Sequence, residues 1–195
     1  HRLPAHTPLC SWRSEHAARE DSQSESILIL DGMWQFALFD SINSVPEFWP
    51  NRLPDMVPIN VPGHWQLQGF DHPIYTNVRY PFPCDPPVVP DLNPTGCYLS
   101  EFVLPKNWAT DDQIRIIFDG EDSAFHLWCN CNLIGYSQDS RLPAEFDLTQ
   151  NLKQGKNVLS VMVIRRCDGS YLEGQDMWNL SGIYRSVRLL AKPSS

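Results

Sequence analysis

The sequence predicts an all-β sandwich, on three observations. Short apolar runs with period-two alternation recur along the chain, Pro and Gly separate them, and no helical periodicity lasts beyond three turns. With 195 residues and 42% hydrophobic composition, the chain can bury the core of one domain. We therefore expect a β-sandwich at residues 26–195, preceded by an arm at residues 1–25 that lies on the body or on a partner.

The predicted elements follow in chain order. A short helix is expected near residues 14–19, and strands at 26–30, 33–39, 57–61, 73–80, 97–104, 113–118, 125–129, 133–136, 158–164 and 183–190. In the second strand, Trp34, Phe36 and Leu38 alternate with other residues, as one buried face requires. Residues 81–94 contain six prolines, so this segment is expected to run extended over a surface.

Charge and composition exclude several classes of protein. A net charge of −8 argues against a nucleic-acid partner, because phosphate contacts need an excess of Lys and Arg. No apolar run approaches the length of a membrane span, and the N-terminus lacks a basic-then-apolar signal pattern, so a cytoplasmic protein is expected. The missing initiating Met predicts a fragment of a longer protein. The six cysteines lack a CxxC pair; Cys129 and Cys131 could form a metal pair, but scattered thiols are favoured.

The segment 167–183 is the most polar stretch between two core strands. It carries three carboxylates and two aromatic residues, which predicts either a binding edge or a long surface turn. Sugars are bound by amides and carboxylates that fork to hydroxyls, with an aromatic ring against the C–H face. Groups of these kinds are Asn77, Asp176, Trp178 and Asn179.

No catalytic residue is predicted within the chain. Nucleophile triads and phosphate loops are absent, and the histidines lack metal-ligand spacing. Glycoside hydrolysis needs two carboxyl groups about 5–10 Å apart. Glu173 and Asp176 would be candidates, but both lie on one short loop and nothing marks either as desolvated.

Several motifs carry a resemblance to a known family. They include Tyr75-Thr76-Asn77-Val78, Asn93-Pro94-Thr95-Gly96-Cys97-Tyr98, Phe118-Asp119-Gly120, residues 123–130, Gln138-Asp139-Ser140-Arg141-Leu142-Pro143 and most of residues 168–183. From Arg2 to Pro193, the chain resembles the N-terminal sugar-binding domain of bacterial β-galactosidases of glycoside hydrolase family 2, the lac operon type.

The resemblance implies a jelly-roll β-sandwich of the galactose-binding-domain type that packs against a TIM barrel. In that family the barrel supplies both catalytic glutamates, the substrates are lactose-like β-galactosides, and the enzyme is a homotetramer. Asn77 matches a residue that contacts the galactosyl group. Asp176 matches one that contacts the sugar and ligates sodium. The isolated chain is therefore expected to be inactive.

Two further matches and two departures complete the resemblance. Gln138 and Asp168 match ligands of a magnesium site whose other ligands lie upstream of His1, so that site is expected to be incomplete. Neither sodium nor magnesium is expected to bind the fragment stably. The family's Asn-Gly hairpin corner is Asn130-Cys131 here, which predicts a looser turn or another type. Gly174 replaces a carboxylate often found at its position.

Three hypotheses for function remain. The chain is a β-galactosidase domain that completes a galactose subsite together with the rest of its own protein, an autonomous lectin-like module, or a structural domain that braces a partner. The second rests on fold analogy alone.

Overall fold

The computed structural model describes residues 2–7, 11–20, 24–47, 49–50, 53 and 55–192. Its strands are β1 (Ile27–Ile29), β2 (Gly32–Phe39), β3 (Val57–Val61), β4 (Ile74–Tyr75), β5 (Thr95–Val103), β6 (Gln113–Phe118), β7 (Glu121–Asp122), β8 (Ala124–Cys129), β9 (Asn132–Gln138), β10 (Ala144–Asp147), β11 (Lys156–Ile164), β12 (Trp178–Asn179), β13 (Gly182–Ile183) and β14 (Val187–Lys192). The α-helices are α1 (Glu15–Arg19) and α2 (Ser170–Glu173), and short 3-10 helices cover Ile42–Ser44, Trp65–Gln68 and Thr149–Asn151.

The strands form two main antiparallel sheets and two ribbons. The larger sheet has the order β3-β2-β5-β11-β8-β9, and the smaller has the order β1-β14-β6-β10. The ribbons pair β4 with β12 and β7 with β13. Long pairings dominate: β11 pairs with β5 from Lys156 opposite Val103 to Ile164 opposite Thr95.

The main core lies between the two sheets. Phe118 of the smaller sheet packs on Phe125 of the larger sheet with ring centroids 4.8 Å apart, and Phe125 packs on Phe146 at 5.7 Å. Trp34 and Phe36 are buried in the same cluster, as their alternation predicted. The predicted all-β sandwich is confirmed.

A second apolar cluster covers the outer face of the larger sheet. Trp49, from the loop before β3, packs edge-on against Trp128 of β8 with centroids 4.9 Å apart, and Cys97 and Met162 are buried with it. The Ser160 hydroxyl donates to the Pro50 carbonyl at 2.9 Å. The paired segments of β5 around Cys97 and of β11 around Met162 are therefore covered on both faces.

The described part of the N-terminal arm lies against the sandwich. The Leu3 amide donates to the Glu145 carbonyl at 2.8 Å, and Arg13 forms an ion pair with Asp112 at 2.6 Å. The predicted helix is present as α1, and the Ser14 hydroxyl caps it. Residues 1, 8–10 and 21–23 of the arm, with Cys10, lie outside the described residues, as do 193–195. The boundary at residue 26 stays a prediction.

The expectation of a looser turn between β8 and β9 is wrong. Two residues connect the strands, and both have positive φ, 50° at Asn130 and 68° at Cys131, as a type I′ hairpin requires. Cys131 therefore lies in the turn and does not share a strand face with Cys129.

Within the described ranges, no helix has the length and apolar character needed to cross a bilayer.

Candidate functional site

A two-stranded ribbon presents Asp176 at the surface. Trp178 in β12 lies opposite Tyr75 in β4, and their rings are 5.5 Å apart. The Tyr75 hydroxyl donates to Asp176 Oδ1 at 2.5 Å, and this bond is the main reason that the pKa of Tyr75 is raised. Tyr75 and Trp178 are 49% and 59% exposed. The ribbon therefore orients a carboxylate beside two exposed aromatic rings.

Asn77 follows the ribbon by two residues and lies in an adjoining cleft. The cleft has a volume of about 150 Å³ and is also lined by Tyr80, Gln175 and Asn179. Asp176 is not among the lining residues; it lies next to Gln175 in the chain and binds Tyr75 instead. The structure thus places Asn77 and Asp176 on the same ribbon region, with Asn77 in the cleft and Asp176 at its border.

The segment that carries Asn77 is fastened to α2 by aromatic contacts. The Tyr171 ring lies 5.3 Å from that of Tyr80 and 5.2 Å from that of Phe82. The Tyr171 hydroxyl donates to the Val88 carbonyl at 2.5 Å, and the Tyr80 hydroxyl donates to the Tyr171 carbonyl at 2.8 Å. The proline-rich segment is therefore anchored, which fixes one wall of the cleft.

Gln138 and Asp168 lie at another edge, where β9 ends and β11 has just ended. Gln138 Oε1 accepts from the Tyr136 hydroxyl at 2.7 Å, and Asp168 Oδ1 accepts from the Gly169 amide at 2.9 Å. Burial first, and then the negative charges of Cys167, Asp168 and Glu173, raise the pKa of Tyr136 to about 12. The charge of Asp168 is therefore close enough to raise the pKa of the Tyr136 phenol, which donates to Gln138.

The donor atoms at both predicted ion sites are oxygens, which sodium and magnesium prefer. Among the described residues, however, no group of three or more His, Cys, Asp or Glu is arranged to hold a metal ion. Asp176 supplies a carboxylate at one site, and Gln138 and Asp168 supply an amide and a carboxylate at the other. These donors fit hard cations but need additional ligands.

Two adjacent arginines, Arg165 and Arg166, follow β11 and line a pocket together with Trp178 and Asn179 of the ribbon. The sequence analysis did not identify them. The Arg165 side chain is 4% exposed, pairs with Asp71 and donates to the Asn179 carbonyl at 3.2 Å. Arg165 therefore links the segment before β4 to the end of β12. Arg166 is 9% exposed, and its guanidinium carbon lies 4.5 Å from the Phe82 ring centroid. Burial, and then the charge of Arg165, lowers the pKa of Arg166 to about 10, so it remains a cation at neutral pH.

Glu173 has a bracing role in the described structure. Its Oε1 accepts from the Ser140 amide at 3.0 Å, and its Oε2 accepts from the Ser140 hydroxyl at 2.6 Å. These contacts tie α2 to the loop after β9. With Asp176 bound to Tyr75, the two carboxylates have separate partners, and nothing links them as an acid–base pair.

Glu121 is a buried acid that the sequence did not reveal, because Asp119-Gly120-Glu121-Asp122 is typical of a polar turn. It is fully buried in β7, and neither carboxylate oxygen has a hydrogen-bond partner in the described structure. Burial raises the pKa of Glu121 well above the usual carboxyl value, against the opposing charge of Arg2. The neutral acid is therefore favoured.

Residues 27–193 match the family profile described as glycosyl hydrolases family 2, sugar binding domain. The chain belongs to this family. The family 2 domain is 61% identical over 193 residues to a β-galactosidase of Erwinia tasmaniensis, covering 98% of this chain and 19% of that protein. It is 61% identical over 201 residues to a β-galactosidase of Aeromonas hydrophila, covering 98% of this chain and 20% of that protein.

Solved structures share the fold of this family 2 domain at low identity. A Bifidobacterium dentium β-glucuronidase aligns with a TM-score of 0.64 at 21% identity, over 89% of this chain and 31% of that chain. A Ruminococcus gnavus β-glucuronidase aligns with a TM-score of 0.64 at 23% identity, over 88% and 30%. The predicted family is confirmed, and the chain spans about a fifth of the length of these β-galactosidase relatives.

Proposed function

We propose that this domain forms part of a β-galactosidase that hydrolyses terminal β-D-galactosyl residues of lactose-like substrates. Asn77 and Asp176 contact the galactosyl group, and the rest of the longer protein, with a TIM barrel, supplies the catalytic glutamates. The observation that carries the proposal is the ribbon, in which Tyr75 holds the Asp176 carboxylate beside the exposed Trp178 ring. A fixed acceptor next to an aromatic face suits the two sides of a sugar ring.

The ions belong to the same proposal. Asp176 contributes to a sodium site, where the cation would supply a fixed positive charge near the sugar hydroxyls. Gln138 and Asp168 contribute to a magnesium site that braces the edge of the larger sheet. Both sites take their remaining ligands from outside the described residues, and the longer protein is a cytoplasmic homotetramer.

The catalytic part of the proposal is tested with the isolated chain. Acid and nucleophile carboxyls must flank the scissile bond, and the ribbon offers only carboxylates that have other partners. A chromogenic galactoside assay is expected to show no turnover by the 195-residue chain and turnover by the longer protein. Turnover that survives repurification of the isolated chain, and disappears in Glu173→Gln, would contradict the proposal.

The binding part is tested by titrating the isolated chain with galactose. Few contacts are available, and binding must first offset several kcal/mol of lost rigid-body freedom. We expect binding that is weak or undetectable. A dissociation constant below about 100 μM, about −5.5 kcal/mol, would favour a lectin-like module. In the longer protein, Asn77→Ala should reduce kcat/KM; an unchanged value would favour the bracing role.

A further inference from the structure

Arg166 is a largely buried cation whose hydrogen-bonding edge has no acceptor among the described residues. It is nine-tenths buried, and no carboxylate or carbonyl of the described residues accepts from its guanidinium. The neighbouring arginines differ, because Arg165 is paired with Asp71 and Arg141 is paired with Asp122 at 2.7 Å. The Arg166 nitrogens are not among the fully buried atoms without a partner, so the edge opens onto the adjoining pocket. A charged donor edge that is held in place and opens onto a pocket is available to a ligand.

The orientation of Arg166 determines what kind of partner fits. The Phe82 ring covers one face of the guanidinium at 4.5 Å. The five N–H donors lie in the plane of the guanidinium, so they point outward from its edge and not toward the stacked ring. A planar carboxylate forms two parallel hydrogen bonds with such an edge, whereas a hydroxyl fills only one position.

The pocket beside Arg166 has the size of a small group. Its volume is about 40 Å³, whereas the neighbouring cleft that holds Asn77 has about 150 Å³. Both are lined by Phe82, Ser170, Gly174 and Asn179, so they lie side by side. A cavity needs roughly 10–15 Å³ to hold one water. The pocket therefore admits a carboxylate, and the larger cleft accommodates the body of the molecule that bears it.

The acids that line the pocket are already engaged. Both oxygens of Glu173 accept from Ser140, at 3.0 and 2.6 Å, and Asp122 binds Arg141. Neither forms an ion pair with Arg166. The unsatisfied group of the pocket is a cation, and this selects an anionic ligand over a neutral one.

We propose that Arg166 anchors a carboxylate-binding pocket next to the Asn77 cleft. The carboxylate comes either from a free organic acid, such as a sugar acid, or from an acidic side chain of the rest of the longer protein. The chemistry is the same in both cases, with a bidentate carboxylate in the plane of the guanidinium. This pocket does not depend on galactosyl binding, although a sugar-acid ligand would rest on the proposed function.

Gly174 offers a matched way to fill the pocket from within. It lines both spaces, and a Cβ built on it meets only the Ser170 carbonyl, at 3.3 Å. Gly174→Asp therefore adds a carboxylate at the mouth of the pocket with a small adjustment. We expect this carboxylate to pair with Arg166 and to compete with any added acid.

The test follows the arginine Nε–Hε signals of the 195-residue chain by NMR during titration with sodium acetate. Sodium chloride at the same concentration controls for sodium and ionic strength. We expect acetate alone to shift the Arg166 signal, with a dissociation constant of about 1–50 mM. The side-chain amide signal of Asn179, which lines the same pocket, should shift as well and reports binding in every variant. Arg166→Gln should abolish this Asn179 response, and Gly174→Asp should weaken acetate binding about tenfold.

Arg185→Gln is the matched control. Arg185 also stacks on an aromatic ring, that of Tyr184 at 5.2 Å, but it is exposed and donates to the Asp119 and Arg141 carbonyls. Its removal should leave the acetate titration unchanged. The proposal is overturned if acetate shifts no more than chloride, or if the response survives in Arg166→Gln. Should Arg166→Gln fail to fold, an undiminished acetate affinity in Gly174→Asp overturns it equally.

Two further arms distinguish the sources of the carboxylate. A free sugar acid is supported if galacturonate binds about tenfold more tightly than galactose and Arg166→Gln abolishes the difference. An internal acidic side chain is supported if acetate shifts the signal in the 195-residue chain and not in the longer protein. Because acetate contains no sugar, a failure of galactose binding would leave the acetate result intact.

Discussion

The tip of the β8–β9 hairpin and the β4–β12 ribbon contain similar polar residues but differ in where their hydrogen bonds go. At the tip, Asn130 donates to the Asn151 carbonyl and to Asn157 Oδ1, both at 2.8 Å. Asn157 donates to the carbonyls of Lys153 and Gly155 at 3.0 and 3.1 Å. These amides bind the chain itself.

At the ribbon, the corresponding groups face solvent or a cleft. Asn77 lines the cleft, Trp178 is 59% exposed, and the edge of Arg166 has no acceptor among the described residues. The presence of Asn does not separate the two regions, since both contain Asn side chains. The partner separates them: a polar group satisfied within the chain braces the fold, and one that is held in place but unsatisfied is available to a ligand.

Among the tests of this comparison, the largest effect is expected on stability when Asn157 is substituted. Asn157→Ala removes two donated hydrogen bonds and the acceptor for the Lys153 amide and for Asn130, and leaves buried groups unsatisfied. We expect the free energy of unfolding to fall by about 3 kcal/mol. Guanidinium unfolding followed by tryptophan fluorescence measures it.

Asn132→Ala, at the exposed start of β9, is the matched control. Its side chain makes one long contact, 3.4 Å to the Asn130 carbonyl, so its loss should change stability by less than about 0.5 kcal/mol. Equal losses in the two variants would show that the amide network does not brace the hairpin.

The next effect is expected at Asp176, and it should appear in activity. In the longer protein, Asp176→Asn keeps the shape and an oxygen but removes the charge that a cation and a sugar hydroxyl would bind. We expect sodium affinity and kcat/KM to fall together, the latter about ten- to a hundredfold, or about 1.5–3 kcal/mol. Activity measured against sodium concentration, with a melting curve, tests this.

Asp91→Asn, at an exposed position outside the ribbon, controls for loss of charge. It should leave the sodium response and the rate unchanged. If Asp176→Asn keeps the sodium dependence and lowers the melting temperature, then Asp176 braces the ribbon as Asn157 braces the hairpin.

Glu121 extends the comparison, because it is fully buried and its carboxylate has no hydrogen-bond partner among the described residues. Its pKa is raised in the folded state, by burial first; Arg2 opposes the shift, and Asp122, Asp139 and Glu173 add to it. Its contribution to stability is therefore complete below the unfolded pKa of about 4.5 and is lost as pH rises toward the folded pKa. Glu121→Met should remove this dependence and stabilise the chain by about 1–2 kcal/mol at pH 8.

Unfolding at pH 4.5 and at pH 8 measures the effect. Glu101→Met is the control, since Glu101 is exposed and paired with Lys156. It should leave the pH dependence of stability unchanged. A Glu121→Met variant with the same pH dependence as the native chain would mean that Glu121 is solvated or paired.

Alternation and punctuation predicted most of the sandwich. β2, β3, β6 and β8 are close to their predicted limits, because each has one face in the core. The prediction failed where chain contacts overrode alternation: of residues 73–80, only Ile74–Tyr75 pairs, since the partner β12 has two residues. Strand β10 and helix α2 were missed.

The resemblance predicted Asn77 and Asp176 as sugar-contacting residues, and these roles stay a prediction. In the structure both residues lie beside the ribbon. Glu121 was not identified, because its significance is that it has no partner among the described residues. Arg166 was not identified, because its significance is that its side chain lines a pocket. Sequence shows which groups a residue carries but does not show which other groups reach it.

The smallest effect is expected at the hairpin corner, where a pair of glycine variants isolates the network from the turn. Cys131 and Asn130 both have positive φ, 68° and 50°, which glycine adopts without steric penalty. In Cys131→Gly, relief of the left-handed backbone outweighs the extra freedom of the unfolded chain and the loss of a 3.9 Å contact from Cys131 Sγ to the Pro50 carbonyl. We expect stabilisation by about 0.5 kcal/mol, a rise in melting temperature of roughly 1–2 °C. Asn130→Gly gives less backbone relief, because Asn adopts the left-handed conformation more readily than Cys. It also removes the side chain that binds Asn151 and Asn157, so it should destabilise the chain by more than about 1 kcal/mol. Opposite signs would show that partners within the chain hold Asn130 at this corner; equal signs would assign the corner to backbone conformation alone.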